Sequence, residues 1–375
     1  MSGIFGLIDP QQAPVEPDLS RMAQAMEHWG PDGCRVRISG GHAGLGHARL
    51  IATPEDQAPV MPHLDRESGA IFTGRARLDN REALCDALDI PPVERPTLPD
   101  SMVLFGAWQR WADQALPRCR GDWAFACWNP STGCLSLARD AYGQTALYYG
   151  PAGGRFAFAS SHEALLALVD LPRDLDELRI AQVLTSWPGD GTATIYRAIR
   201  RLPPAHALTW KAGTIRIRRY WAMEAVAPIH LGSDDDYVEA FLDLYAQAVR
   251  CRLRSVRPVG ATLSAGLDSG SVTALAAREL SSRGGSVTAF TSVPIHPPDG
   301  ATERRIGNEW ALAHEVALRW PNIDHQAIEA RHVTPLAGID HQVRIHPEPG
   351  HAGGNYYWIV AILDAAREMD LGVLL

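Results

Sequence analysis

Six consecutive residues carry the densest chemistry in the chain: Ser264-Ala265-Gly266-Leu267-Asp268-Ser269. Small side chains let backbone amides close around an anion, and a helix that starts there adds positive potential. The hydroxyls of Ser264 and Ser269 can donate to phosphate oxygens. The carboxylate of Asp268 can hold Mg²⁺, a hard cation that favours carboxylate and phosphate oxygens. None of this requires a lysine. The same six residues also suit a plain strand-to-helix turn, and their setting has to separate the two readings.

Other chemistries are excluded or disfavoured. Lys211 is the only lysine among 35 Lys and Arg residues, and no Gly-Lys pair exists, so a phosphate-loop NTPase lacks its required residue. A Schiff-base enzyme would have to use Lys211, whose Thr209–Gly213 setting predicts a hairpin turn. The six cysteines form no Cys-x-x-Cys pair, which argues against a zinc ribbon and for reduced thiols in the cytoplasm. The histidines lack His-Glu-x-x-His spacing, and His341 and His346 read as surface residues of a polar loop. The net charge of −8 comes without a basic stripe, so no nucleic-acid partner is expected. No apolar run approaches the ~20 residues that span a bilayer. The amino terminus has no positive charge before its apolar residues, unlike a secretory signal.

The elements that must position the hexapeptide follow from patterning. At 375 residues the chain is long enough for two domains. The first ~220 residues alternate short apolar strands with turns and a few helices, which predicts two layers of sheet with helices outside. Strands are expected at 3–8, 43–47, 70–73, 123–128, 134–139, 147–149 and 156–160, and helices at 19–27, 80–87, 101–111 and 161–168. A boundary follows Tyr220-Trp221, giving domains 1–222 and 232–375. Ser233 should cap a helix whose first turn holds Asp234, Asp235 and Asp236. That helix should bury Phe241, Leu244, Tyr245, Ala248 and Val249. From Pro258 strand and helix alternate: strand 258–263, loop 264–269, helix 270–281, strand 287–293, helix 309–320, strand 323–328 and helix 357–369. This succession predicts a parallel α/β sheet. Leu371–Leu375 reads as a buried strand, so the expectation is a second domain cut short at its carboxyl end.

The hexapeptide resembles the Ser-Gly-Gly-x-Asp-Ser pyrophosphate loop of the asparagine synthetase family of ATP pyrophosphatases. Further segments share the resemblance: Met1–Gly6, His28–Asp32, Leu45–Leu50, Gly121–Ala126, Ala138–Asp140, Leu147–Tyr149 and Arg201–Pro204. The resemblance implies a four-layer Ntn-hydrolase-like α+β sandwich, then an adenine nucleotide α-hydrolase-like parallel-sheet domain. It implies ATP and Mg²⁺ as cofactors. Ser264, Ala265, Gly266, Asp268 and Ser269 would hold phosphates, with Asp268 the metal ligand. Leu263 and Val293 match positions whose backbones hold adenosine in relatives; core packing is the other reading of both. Ala265 replaces the usual second glycine, which is tolerable where φ is negative. A second metal carboxylate and the groups promoting amine attack would lie beyond Leu375, so no catalytic residue is assigned within the chain.

The departures from the family are informative. Ser2 replaces the cysteine nucleophile of the amidotransferases, and a hydroxyl is far weaker at neutral pH. Thr73-Gly74-Arg75 aligns with the Asn-Gly-Glu of the oxyanion hole, so the stabilising amide is missing. Arg49 and Asp100 match positions that grip glutamine; structural salt bridging is the favoured alternative. The resemblance therefore implies an amide synthetase without its own ammonia supply. It is most similar to lasso-peptide macrocyclases or β-lactam synthetases, the Leu78–Leu84 and Gly121–Trp128 segments favouring the former. The expected partner is a precursor peptide or small carboxylate substrate, with a leader-peptide protease or recognition protein alongside. An ammonia-dependent asparagine synthetase and a non-catalytic nucleotide-binding relative stay open.

Overall fold

The computed structural model describes residues 2–296, 307–346, 348, 350 and 352–375. Met1, the first residue of the amino-terminal segment quoted above, lies outside the described residues. The chain forms two compact units, Met1–Pro228 and Ile229–Leu375.

The first unit contains strands β1 (Gly3–Ile8), β2 (Cys34–Ser39), β3 (Ala43–Ala48), β4 (His63–Leu64), β5 (Ile71–Leu78) and β6 (Gly121–Asn129). It continues with β7 (Cys134–Arg139), β8 (Tyr148–Ala152), β9 (Arg155–Ala159), β10 (Arg200–Arg201), β11 (His206–Lys211) and β12 (Thr214–Arg219). Its helices are α1 (Glu16–Ala25), α2 (Arg81–Ala87), α3 (Asp100–Trp111), α4 (His162–Leu166) and α5 (Glu177–Leu184). The strands form two six-stranded antiparallel sheets, ordered β10-β8-β9-β1-β3-β2 and β12-β11-β7-β6-β5-β4.

Period-2 alternation explains the layering. On β1, Ile4 and Ile8 face the second sheet, while Phe5 and Leu7 pack under α1 and α4. On β6, Ala124, Ala126 and Trp128 join the inter-sheet core, whereas Trp123, Phe125 and Cys127 pack under α3. The result is helix, sheet, sheet, helix: the four-layer sandwich. Strands β2, β11, β12 and helix α5 add to the expected elements. The turn between β11 and β12 carries Ala212 and Gly213 at positive φ, as a tight hairpin demands.

The second unit runs α6 (Asp234–Arg252), β13 (Val259–Thr262), α7 (Leu267–Ser281), β14 (Val287–Ser292), α8 (Trp310–Leu318), β15 (Ile323–Ile328), α9 (Pro335–Ile345), α10 (Tyr356–Glu368) and β16 (Val373–Leu374). The sheet is parallel, ordered β15-β14-β13-β16. Val259 and Ala261 pack with α6 and α7, and Leu263 and Ala289 pack with α8. Phe290 points the other way, against Ile362 and Ala366 of α10. Both faces are covered, as parallel sheets require.

Four expectations need correction. The Ser233 hydroxyl does accept from the Asp236 amide at 3.3 Å. However, α6 buries Ala246 and Val249 rather than the full expected face, and Phe241 and Leu244 are 62% and 61% exposed. Only the carboxyl-terminal half of α6 meets the core formed with α7 and β13. His341 lies in helix α9 and His346 caps it, so this segment is not a loop; Thr334 caps its start and Pro335 occupies the first turn. Helix α7 begins at Leu267, inside the expected loop. Val373 and Leu374 are half-buried rather than buried.

Candidate functional site

The sheet order reverses beside β13: β14 lies on one side and β16 on the other. Ligands of open parallel sheets bind at such a switch point, beyond the strand carboxyl ends. The Ser264–Ser269 segment leaves β13 at that place and enters α7, so the setting favours an anion loop over a plain turn.

The loop gathers its amides on oxygens. The Ser264 N–H donates to Ser269 Oγ at 3.0 Å, and the Gly266 N–H donates to Ser264 Oγ at 3.1 Å. The two hydroxyl oxygens lie 2.8 Å apart. The Ala265 N–H donates to a carboxylate, Glu309 Oε2, at 2.9 Å. Glu309 stands at the N-cap of α8. An amide already matched to a carboxylate oxygen is an amide placed for an anion. Ala265 is not among the residues at positive φ, so alanine is unstrained where relatives carry glycine.

Asp268 lies in the first turn of α7 and is exposed. Among the described residues no group of three or more His, Cys, Asp or Glu side chains could hold a metal ion. One carboxylate nonetheless suits Mg²⁺, which is held by one or two carboxylates plus phosphates and keeps several waters. These residues fit a metal-bound nucleotide, not a dedicated protein cage. Leu263 is 2% exposed; its N–H donates to the Phe290 carbonyl at 2.8 Å and its carbonyl accepts from Thr291 Oγ1 at 2.6 Å. The Val293 N–H donates to the Ile328 carbonyl at 2.9 Å. Glu309, Thr291 and His325 were missed by sequence reasoning because their partners lie 28–44 residues away. The sequence signal for Glu309 was only its place at a helix start.

In the first unit, Ser2, His47, Arg49, Gly74, Arg75 and Asp122 help line a cavity of about 90 Å³. Pockets for small ligands usually span about 300–1,000 Å³. The Ser2 hydroxyl is engaged twice by Leu50: it accepts from the N–H at 2.9 Å and donates to the carbonyl at 3.2 Å. Thr73 is fully buried and donates to the Gly46 carbonyl at 3.1 Å. Arg49 donates to the carbonyls of Asp56 and Gln57 at 2.6 and 2.7 Å. Asp100 is 1% exposed, pairs with Arg81 at 2.5 Å and accepts from the Leu78 N–H at 2.7 Å. Burial, with Arg49 and Arg75 nearby, pushes His47 down to about 4. Burial likewise pushes Arg75 down to about 10, against the pull of Asp122 and Asp140.

Comparison with known proteins agrees with both units. A family described as glutamine amidotransferase domain matches residues 1–221, and one described as asparagine synthase matches residues 240–370. The chain belongs to the asparagine synthetase family. It is 30% identical to asparagine synthetase [glutamine-hydrolyzing] 3 of Bacillus subtilis, over 76% of this chain and 46% of that protein. Asparagine synthetase [glutamine-hydrolyzing] 1 of the same organism is 26% identical, over 74% and 44%. Amidase chyE of Penicillium rubens is 25% identical, over 84% and 48%. The chain thus spans about half the length of these family members. The solved glutamine phosphoribosylpyrophosphate amidotransferase of B. subtilis, complexed with ADP and GMP, covers 99% of this chain and 90% of its own. At 14% identity and a TM-score of 0.45 it carries no argument.

Proposed function

We propose that this family member is an ATP-dependent amide synthetase that activates a carboxylate and closes an amide within one substrate. A peptide whose N-terminal amine meets an Asp or Glu side chain, as in lasso-peptide macrolactam formation, is the substrate this reading favours. The observation that carries it is the loop at the switch point, its amides converging on oxygen acceptors beside an exposed Asp268. ATP with Mg²⁺ would supply the chemistry of converting the carboxylate to a mixed anhydride with AMP, releasing pyrophosphate.

The residues of the chain have definite tasks in this reading. Amides of Ser264, Ala265 and Gly266 and the two serine hydroxyls bind phosphate oxygens. Asp268 supplies the protein's carboxylate to the metal. The start of α7 adds positive potential where negative charge leaves. Glu309 has to give up the Ala265 N–H before a phosphate oxygen can take it. The backbones of Leu263 and Val293 border the adenosine.

The first unit is not a working glutaminase in this reading. The proton of Ser2 points at a carbonyl, Thr73 is turned into the core, and the cavity is small. The amine must then come from the substrate or from free ammonia. No described helix is long and apolar enough to cross a membrane, and we place the protein in the cytoplasm, without nucleic-acid partners. A leader-peptide protease or recognition protein would be the natural partner of a peptide substrate.

The test is exchange of labelled pyrophosphate into ATP. Exchange that depends on a peptide with a free N-terminal amine and an acidic side chain supports cyclisation. Exchange supported by aspartate and ammonium, with none from such peptides, supports an ammonia-dependent asparagine synthetase instead.

A further inference from the structure

Residues from three elements of the second unit connect to the carbonyl of Leu263, which leads into the phosphate loop. Thr291, near the end of β14, is 2% exposed, and its Oγ1 lies 2.6 Å from the Leu263 carbonyl oxygen. The same Oγ1 lies 2.7 Å from Nε2 of His325 on β15. Nδ1 of His325 lies 3.1 Å from Nδ1 of His314 on α8. Trp310 stacks on His325 with ring centroids 4.1 Å apart and planes 12° from parallel, and His314 stacks with both.

The chemistry of each atom sets the direction of every proton. A carbonyl only accepts, so Thr291 donates its single hydroxyl proton to Leu263. Thr291 must then accept from His325, which therefore carries its proton on Nε2. Burial and the neighbouring His314 push His325 down to about 4, so its Nδ1 is a bare lone pair at neutral pH. His314 consequently donates from Nδ1. The chain of donors runs one way, from α8 through β15 and β14 to the backbone of β13.

We infer that Thr291, His325 and His314 are positioning residues that set the Leu263 carbonyl and, through it, the adenosine side of the nucleotide site. This rests on the nucleotide reading above. Apolar packing alone would not require it: β15 could be joined to β13 through valines at these places. The relay instead ties Leu263 by hydrogen bonds to the strand that also holds Val293.

Two measurements on the 375-residue chain test the inference separately from the reading beneath it. Calorimetric titration with Mg·ATP compares the wild type with Thr291→Ser, Thr291→Val, His325→Gln and His325→Ala. Serine keeps the hydroxyl, and the glutamine amide replaces the Nε2 donor. Both should bind within about twofold of wild type, while Val and Ala should bind about tenfold more weakly, the worth of one hydrogen bond. A purely structural Thr291 would lower the unfolding temperature and leave the affinity of the folded protein unchanged. Thr291→Val binding as tightly as wild type, or Thr291→Ser as weakly as Val, overturns the inference. Ring-nitrogen NMR of His325 should show the proton on Nε2 and none on Nδ1; the reverse overturns the relay whether or not nucleotide binds. A wild type with that tautomer and no affinity for ATP contradicts the nucleotide reading, and the positioning role with it.

Discussion

Ser2 and Asp268 divide the two units by what their side chains can reach. The Ser2 hydroxyl is bound from both sides by Leu50, so its proton is held by a backbone carbonyl and one of its two lone pairs is taken by an N–H, and a hydroxyl is a weak nucleophile at neutral pH. Glutamate release from glutamine should stay at background, and a turnover that Ser2→Ala abolishes would contradict this. Asp268 is exposed, so Asp268→Asn should leave the unfolding temperature nearly unchanged while abolishing pyrophosphate exchange. Retained exchange would remove it from the metal. His47 makes a prediction about pH. Its folded value of about 4 lies below the unfolded value of about 6.5. Between those values the unfolded chain takes up a proton that the folded chain refuses. Its contribution is thus intact above pH ~6.5 and is lost as pH falls toward ~4, by about 3 kcal/mol. Urea unfolding at pH 7 and pH 4.5 should show this loss, and His47→Gln should shrink it; an equal loss in the variant would assign it elsewhere.

The strands that position these residues differ in how far the sequence displays them. Interior strands such as β1 and β7 follow their apolar runs to within a residue, because both faces are packed. Strand β2 is hidden: it is an exposed edge in which Arg35 and Arg37 alternate with Val36 and Ile38. Helix α9 is hidden by polar residues, although Thr334 and Pro335 mark its start. The loop of the candidate site is legible as local sequence. Glu309 on Ala265 and the Thr291–His325–His314 relay are not, since contacts between remote segments exist only once the sheet is assembled. Gly121 opens β6 and tests how β5, which carries Gly74 and Arg75 to the small cavity, is held. Its φ is +119°, and a Cβ there would sit 2.1 Å from the Arg77 carbonyl oxygen. Gly121→Ala should therefore destabilise the first unit by about 3 kcal/mol, from backbone strain and overpacking together. A change below 1 kcal/mol in denaturant unfolding would show that the β5–β6 pairing at Leu78 and Gly121 relaxes freely.

At the level of the molecule, one unit has a glutamine amidotransferase domain in which Ser2 and Thr73 are held in hydrogen bonds to the backbone, and the other carries a strand-to-helix loop at the reversal point of a parallel sheet. The chain accounts for about half the length of its curated relatives, so its substrate and partners are read from these two sites and not from theirs. The proposed function makes one central claim: nucleotide chemistry belongs to the second unit, and the first supplies no ammonia. Glutamine should therefore change nothing in how the chain handles ATP. Calorimetric titration of Mg·ATP into the wild type and into Asp268→Asn, each with and without glutamine, tests this most directly. The expected result is saturable binding to the wild type, at least tenfold weaker binding to the variant, and no effect of glutamine on either. Equal binding to both proteins, or no binding to the wild type, would contradict it.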